Sequence, residues 1–176
     1  MDEKPLTVCL RYYGISPWEI EVIYNLFNEK FEVIQEETEQ TELNFVSALT
    51  VIIPLPFSEE FFKWFEFREW EKVKHIIKEM KRRRGKGNAI IVEILFTGDP
   101  DVRFVTDLSE NHNFNSAIEK IDSVVELLPY HLNDNNIQSI PYKGGYLVGT
   151  AEALNEWSEN PGIMSDKWKI SGESYT

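Results

Sequence analysis

Three segments of the chain have the apolar pattern of β-strands. Residues 6–13 alternate well enough for a strand, so Leu6, Val8, Leu10 and Tyr12 would share one face. Residues 43–55 and 89–96 are largely apolar and rich in β-branched side chains, a pattern typical of strands buried at the centre of a sheet. A short buried helix is the alternative for residues 43–55, because periodicity alone cannot separate the two.

Shorter segments complete the predicted sheet. Residues 31–34 suggest a short strand, and the acidic polar run 35–42 suggests an exposed connection. A turn at residues 97–101 leads into residues 102–105, which we predict to be the hairpin partner of the preceding strand. A further short strand is predicted at residues 146–148, followed by a short helix near residues 151–157.

Apolar residues at three- and four-residue spacing predict three helices in the first 130 residues. Ser16 and Glu19 have the spacing of a capping box and begin a helix over residues 17–30. The second helix is predicted over residues 58–83. The third begins at Ser116, after a loop rich in asparagine, and the same capping signal marks its start.

The order of these elements matches a ferredoxin-like β-α-β-β-α-β core, followed by an added hairpin strand and a third helix. We therefore expect an α+β fold, an α/β sandwich in which two helices cover one face of an antiparallel sheet. We expect a core domain at residues 1–130, a packed C-terminal extension at 131–160 and a weakly ordered tail at 161–176.

Charge is distributed unevenly along the chain. The formal net charge is −12, yet residues 58–88 carry ten basic and six acidic side chains between two acidic segments. The negative field of the whole molecule disfavours nonspecific binding to nucleic acid or to an anionic membrane. A single cysteine, Cys9, excludes an internal disulfide framework, and neither a secretory signal nor a membrane span is visible. We therefore expect a cytoplasmic protein.

Aromatic side chains crowd the first half of the second predicted helix. Six rings lie between residues 61 and 70, and they cannot all occupy one helical face, because successive helix positions differ by about 100°. Either the helix is buried on several sides, or some rings form a partner-binding or self-association surface. The residues expected to form that surface are Trp64, Phe67 and Trp70, with the neighbouring charges Lys63, Arg68 and Lys72.

A run of cations lies at the end of the same predicted helix. Cations at a helix C-terminus favour the helix dipole, which is the plainest interpretation. A docking patch for an acidic protein segment and a contact with nucleic-acid phosphates are the two functional interpretations. The residues available for contact with an anion or a nucleic acid are Lys81, Arg82, Arg83, Arg84 and Lys86.

No linear motif for catalysis, nucleotide binding or metal coordination is present in the sequence. His75, His112 and His131 are isolated, so we expect no metal and no cofactor. The sequence favours a noncatalytic, cytoplasmic protein-binding or self-associating domain, whose partner is another protein or a second copy. A nucleic-acid-binding protein that uses the basic run, and an enzyme whose site assembles from distant residues, are the alternatives.

Overall fold

The computed structural model describes residues 6–87, 89–97, 101–106, 111–121, 145–150 and 169–172. This part of the chain forms a mixed α+β fold. Its strands are β1 (Thr7–Tyr13), β2 (Glu32–Glu37), β3 (Ser47–Ile53), β4 (Ile90–Phe96), β5 (Asp101–Thr106), β6 (Gly145–Thr150) and β7 (Lys169–Gly172). Its helices are α1 (Pro17–Asn28), α2 (Glu59–Phe65), α3 (Phe67–Arg84) and α4 (Asn111–Lys120).

The strands form one mixed sheet in the order β2-β1-β3-β4-β5-β6-β7. β1 and β2 are parallel neighbours, and so are β3 and β4, whereas β1 and β3 meet antiparallel. The predicted ferredoxin-like order is therefore not what the sheet shows, because that core separates its first two strands by another strand. Each pair of parallel strands instead closes directly across its own helices, as a β-α-β unit. The predicted hairpin of β4 and β5 is confirmed.

The hydrophobic core lies between one face of the sheet and the helices. Leu49, Val51 and Ile53 on β3 are buried, while the residues between them are half-buried, as alternation along a strand requires. The same face of β1, β4 and β5 joins them in one cluster with the apolar stripes of all four helices. The strand predicted within residues 43–55 is therefore present and central, and its alternative as a short helix is excluded.

The start of α1 confirms the predicted capping box. The Ser16 hydroxyl accepts a hydrogen bond from the Glu19 amide at 3.3 Å, and the Glu19 carboxylate accepts one from the Ser16 amide at 3.1 Å. Pro17 occupies the first helical turn, where its missing N–H costs nothing. These contacts fix the entry into α1 at one end of β1.

The segment predicted as one helix over residues 58–83 forms two helices, so that prediction is wrong. α2 ends at Phe65, and Glu66 adopts φ 60° and ψ 130° before α3 begins. Ser58 caps α2, since its hydroxyl accepts a hydrogen bond from the Phe61 amide at 3.3 Å. The break turns the aromatic residues before it and after it in different directions.

Several boundaries also differ from the predictions. α4 spans Asn111–Lys120, so the segment expected as an asparagine-rich loop is helical. β2 extends through residues 35–37 because it pairs with β1 over six residues. β7 lies within the tail expected to be weakly ordered. The helix expected near residues 151–157 and most of the predicted extension lie outside the described residues.

Candidate protein interface

Most of the aromatic residues of α2 and α3 belong to the core. Phe61, Phe62, Phe65 and Trp70 are all buried, and Trp70 has no exposed surface. Trp70 packs edge-on against Phe62 with ring centres 5.5 Å apart. Its assignment to a partner-binding surface is therefore corrected, because a ring enclosed by the core cannot contact another molecule.

Trp64 lies on the surface at the end of α2. Its side chain is 40% exposed, and its ring meets Phe31 edge-on with ring centres 4.8 Å apart. The Lys30 ammonium lies 6.0 Å from the centre of the indole ring, within cation–π range. Lys30 follows α1 and lies far from Trp64 in the sequence, so no local pattern indicated this contact. Trp64 is thus held in place on one side and open to solvent on the other.

Phe67 lies on the surface at the start of α3. It is 53% exposed, and it stacks on the buried Phe62 ring at 5.1 Å with the two planes only 6° apart. Only one residue separates Phe67 from α2, the left-handed Glu66. Two exposed rings therefore flank the break between the helices, each resting on a buried ring.

Charged side chains border these rings. Lys63 and Arg68 are exposed next to Trp64 and Phe67 in the sequence. Lys72 forms an ion pair with Glu69 at 2.9 Å, one helical turn away from it. Such surface pairs contribute little to stability, so Lys72 can exchange this partner for another at small cost. We call Trp64, Phe67, Lys63 and Arg68 the junction surface.

Lys72 also lines a shallow groove between α1 and α3 that the sequence did not predict. The groove has a volume of about 480 Å³. Val22, Leu26 and Ile76 supply its apolar wall, and these side chains come from two helices far apart in sequence. Their helical spacing indicated an inward stripe, and only the packing of α1 on α3 leaves part of that stripe accessible.

The basic run at the end of α3 is divided by the fold. Lys81 is fully buried, and its ammonium donates to the Gly85 carbonyl at 2.9 Å and lies 5.8 Å from the centre of the Phe114 ring. Its predicted contact with a large anion is therefore corrected, because no polyanion can reach a fully buried side chain. Lys81 instead ties the end of α3 to α4 and to its own C-terminal turn.

Arg84 forms a clamp at the same end of the molecule. Its guanidinium binds both carboxylate oxygens of the buried Glu19 at 2.9 Å. It also donates to the Ser47 hydroxyl at 3.1 Å and to the Gly14 carbonyl at 3.2 Å. The Arg84 hydrogen bonds hold the pKa of Glu19 below its ordinary value, although burial opposes them. Arg84 is committed to the fold, which argues against its predicted role in binding an anion.

Arg82, Arg83 and Lys86 are the members of the run that are exposed. Arg82 forms a two-pronged pair with Glu79 in the helix, and Arg83 lies over the Trp18 ring at 4.7 Å. The hydrogen bond from Arg82 lowers the pKa of Glu79 to about 2. Part of the apparent positive charge is therefore neutralised locally.

The described residues contain no group of three or more metal-ligating side chains. Within the same ranges, no helix is long and apolar enough to cross a membrane. Comparison of the chain with models of protein families, with curated proteins and with solved structures finds no match.

Proposed function

We propose that this chain is a noncatalytic protein-binding domain that docks its partner on the junction surface. The observation that carries the proposal is the exposure of Trp64 and Phe67, at 40% and 53%, within a cluster whose other rings are buried. Aromatic side chains are enriched at interface centres because they bury a large area while losing little rotamer entropy.

The support beneath the two rings favours a preorganised contact. Trp64 rests on Phe31, and Phe67 rests on Phe62, so neither ring has to be ordered when a partner arrives. Glu66 between them has a left-handed backbone that is costly for a residue with a side chain. Strain of this kind clusters at binding and switching sites, which adds weight to this position.

The charges suggest how a partner would approach. The net charge of −12 attracts a basic protein over a distance, and this attraction raises the rate of encounter. Near the rings, Lys63 and Arg68 alternate with glutamates, so the contact itself offers charges of both signs at its rim. Self-association through the same surface is the variant in which the partner is a second copy.

Photo-crosslinking at Phe67 tests the proposal. Two variants are expressed in cells. In one, the photoreactive residue p-benzoylphenylalanine replaces Phe67, and in the other it replaces Trp18. Trp18 is a matched control, because it is 54% exposed, about as much as Phe67, and lies away from the junction surface. It lies at the start of α1, whereas Trp64 contacts Phe31, which follows the end of α1. We expect a discrete crosslinked product from position 67 and none from position 18.

Competition separates a specific interface from chance contact. Excess wild-type protein should suppress the crosslink, and excess protein with Trp64→Glu and Phe67→Glu should not. A product with twice the mass of the chain identifies self-association. Equal products from both positions, or none from position 67, would show that the junction surface is not an interface.

The two alternative functions stay predictions. Nucleic-acid binding would depend on Arg82, Arg83 and Lys86, since the other two cations of the run are committed to the fold. A salt-sensitive shift in an electrophoretic assay would favour it. An enzyme with a site assembled from distant residues is the other alternative.

A further inference from the structure

β2 forms one edge of the sheet, and no described residue pairs with its outer side. The Glu32 amide donates to the Leu6 carbonyl at 2.9 Å, and the Thr38 amide donates to the Tyr12 carbonyl at 2.8 Å. In a parallel pair, alternate residues face the neighbouring strand. The even-numbered residues of β2 therefore bond to β1.

The backbone groups of the odd-numbered residues of β2 point away from β1, towards the outer edge of the sheet. Val33, Gln35 and Glu37 direct their backbone N–H and C=O groups to the outer edge. Within the described part of the chain, these six groups face no neighbouring strand, and they are spaced for a further one. Such an edge is a template for pairing with another chain unless something blocks it.

The side chains of this edge carry one sign of charge. From Glu32 to Val46 the chain has five glutamates and no lysine or arginine. Every residue of β2 except Val33 is exposed. Glu36 reaches Arg11 at 2.9 Å, but both side chains are 53% exposed, so this pair holds the carboxylate only weakly.

One exposed apolar side chain lies among these carboxylates. Ile34 is 51% exposed and lies opposite Cys9, on the face of the sheet away from the helices. Glutamates alone are a common guard against edge-to-edge pairing. An exposed isoleucine at the centre of the same edge weakens that guard, and it offers an apolar contact to an added strand.

We propose that the outer edge of β2 binds an extended, basic segment of a partner protein, which joins the sheet as an additional strand. Backbone hydrogen bonds to Val33, Gln35 and Glu37 would supply affinity, and the glutamates would select for cations. A second copy of β2 is a poor occupant, because it would set glutamates against glutamates in a molecule of net charge −12. The inference is independent of the junction surface.

The pattern of β2 defines the segment that fits. Cations belong opposite Glu32, Glu36 and Glu37, and apolar residues belong opposite Val33 and Ile34. For an antiparallel strand, this gives the sequence Lys-Lys-Thr-Val-Val-Lys. The same peptide with glutamate in place of each lysine is the control probe.

Peptide titration of the full chain by calorimetry tests the proposal. We expect the lysine peptide to bind, the glutamate peptide not to bind, and higher salt to weaken binding. Gln35→Pro removes one outward N–H and leaves the bonds to β1 in place, since proline is tolerated on the open side of an edge strand. This change should weaken binding about tenfold, the equivalent of one lost hydrogen bond.

Gln35→Ala is the matched control, because it keeps the outward N–H, and it should bind like the wild type. Hydrogen exchange of the wild-type protein tests the contact without any substitution. The lysine peptide should slow exchange at Val33, Gln35 and Glu37. The proposal is overturned if the peptide leaves these three amides unprotected, if both peptides bind equally, or if Gln35→Pro binds like Gln35→Ala.

Discussion

Gly14 shows how a single residue position can be fixed by its surroundings. Its φ of 66° lies in the left-handed region, and a Cβ placed on it would stand 2.4 Å from the Val46 carbonyl oxygen. The Ser47 hydroxyl donates to the Gly14 carbonyl at 2.8 Å, so the loop before β3 and the turn after β1 are locked together. A side chain at position 14 would meet the backbone at Val46, and a backbone segment cannot shift without a cost in free energy.

We expect Gly14→Ala to lower the free energy of unfolding by about 3 kcal/mol, since strain and a backbone clash add. Gly87→Ala is the control, because Gly87 also has a positive φ, of 92°, and a Cβ placed on it would meet nothing within 4 Å. Its cost should be about 1 kcal/mol, from strain alone. Urea denaturation of both variants measures the difference, and equal costs would show that the clash is relieved by local movement.

The break between α2 and α3 decides which rings face the core. Glu66 is the only residue other than glycine with a positive φ in the described part of the chain. A glycine there has no Cβ to strain, so Glu66→Gly should raise the free energy of unfolding by about 1 kcal/mol. Thermal unfolding followed by circular dichroism checks the change.

Glu66→Ala serves as the control for this prediction. Alanine removes the carboxylate and keeps the Cβ, so the strain remains and we expect no gain in stability. If alanine stabilises the protein as much as glycine does, the effect belongs to the charge of Glu66 and not to its backbone.

The sequence predicted elements better than it predicted their relationships. Ser16 and Glu19 predicted the start of α1, because a capping box depends only on residues close together in the sequence. The alternation that predicted β3 is a local pattern of the same kind. Glu66 gave no such signal, since neither glycine nor proline marks the break. Spacing could not reveal that Trp70 is enclosed by rings from other elements.

Strand order and the fate of the basic run also depend on distant residues. Arg84 meets Glu19 across 65 positions, and Lys81 meets Phe114 on a helix that follows later in the chain. The sequence around the basic run indicates a solvated face of the helix, whereas Lys81 and Arg84 in fact contact residues far away in the chain. The parallel pairing of β1 with β2 was likewise invisible, because the same order of elements suits several sheets.

At the scale of the whole molecule, three carboxylates link stability to acid. Arg84 lowers the pKa of Glu19, and Arg82 lowers the pKa of Glu79. Burial raises the pKa of Glu119, but the hydrogen bonds from Lys78 and Lys74 outweigh it and leave the pKa lowered. Around the ordinary glutamate pKa of 4.5 and down to the lowered native values, the unfolded chain therefore binds more protons than the native protein.

Stability should consequently be complete near neutral pH and fall as the pH drops from about 5 towards 2. Glu19→Gln leaves Arg84 without its carboxylate, so we expect a loss of about 3 kcal/mol at pH 7 and a shallower acid dependence. Glu21→Gln changes an exposed residue of the same helix and should behave like the wild type. Urea denaturation across this pH range measures both quantities. An unchanged slope in Glu19→Gln would mean that other groups cause the acid sensitivity.

The strand order also bears on the chain as it leaves the ribosome. β1 receives β2 and then β3 as its neighbours, β3 receives β4, and β4 receives β5. Each newly made strand thus pairs with one that has already emerged. Closing the loop between strands that are close in sequence costs little entropy. The sheet can therefore grow strand by strand during synthesis. At most stages only the edge of the growing sheet that receives the next strand is unpaired, which limits the time in which unpaired strands can aggregate.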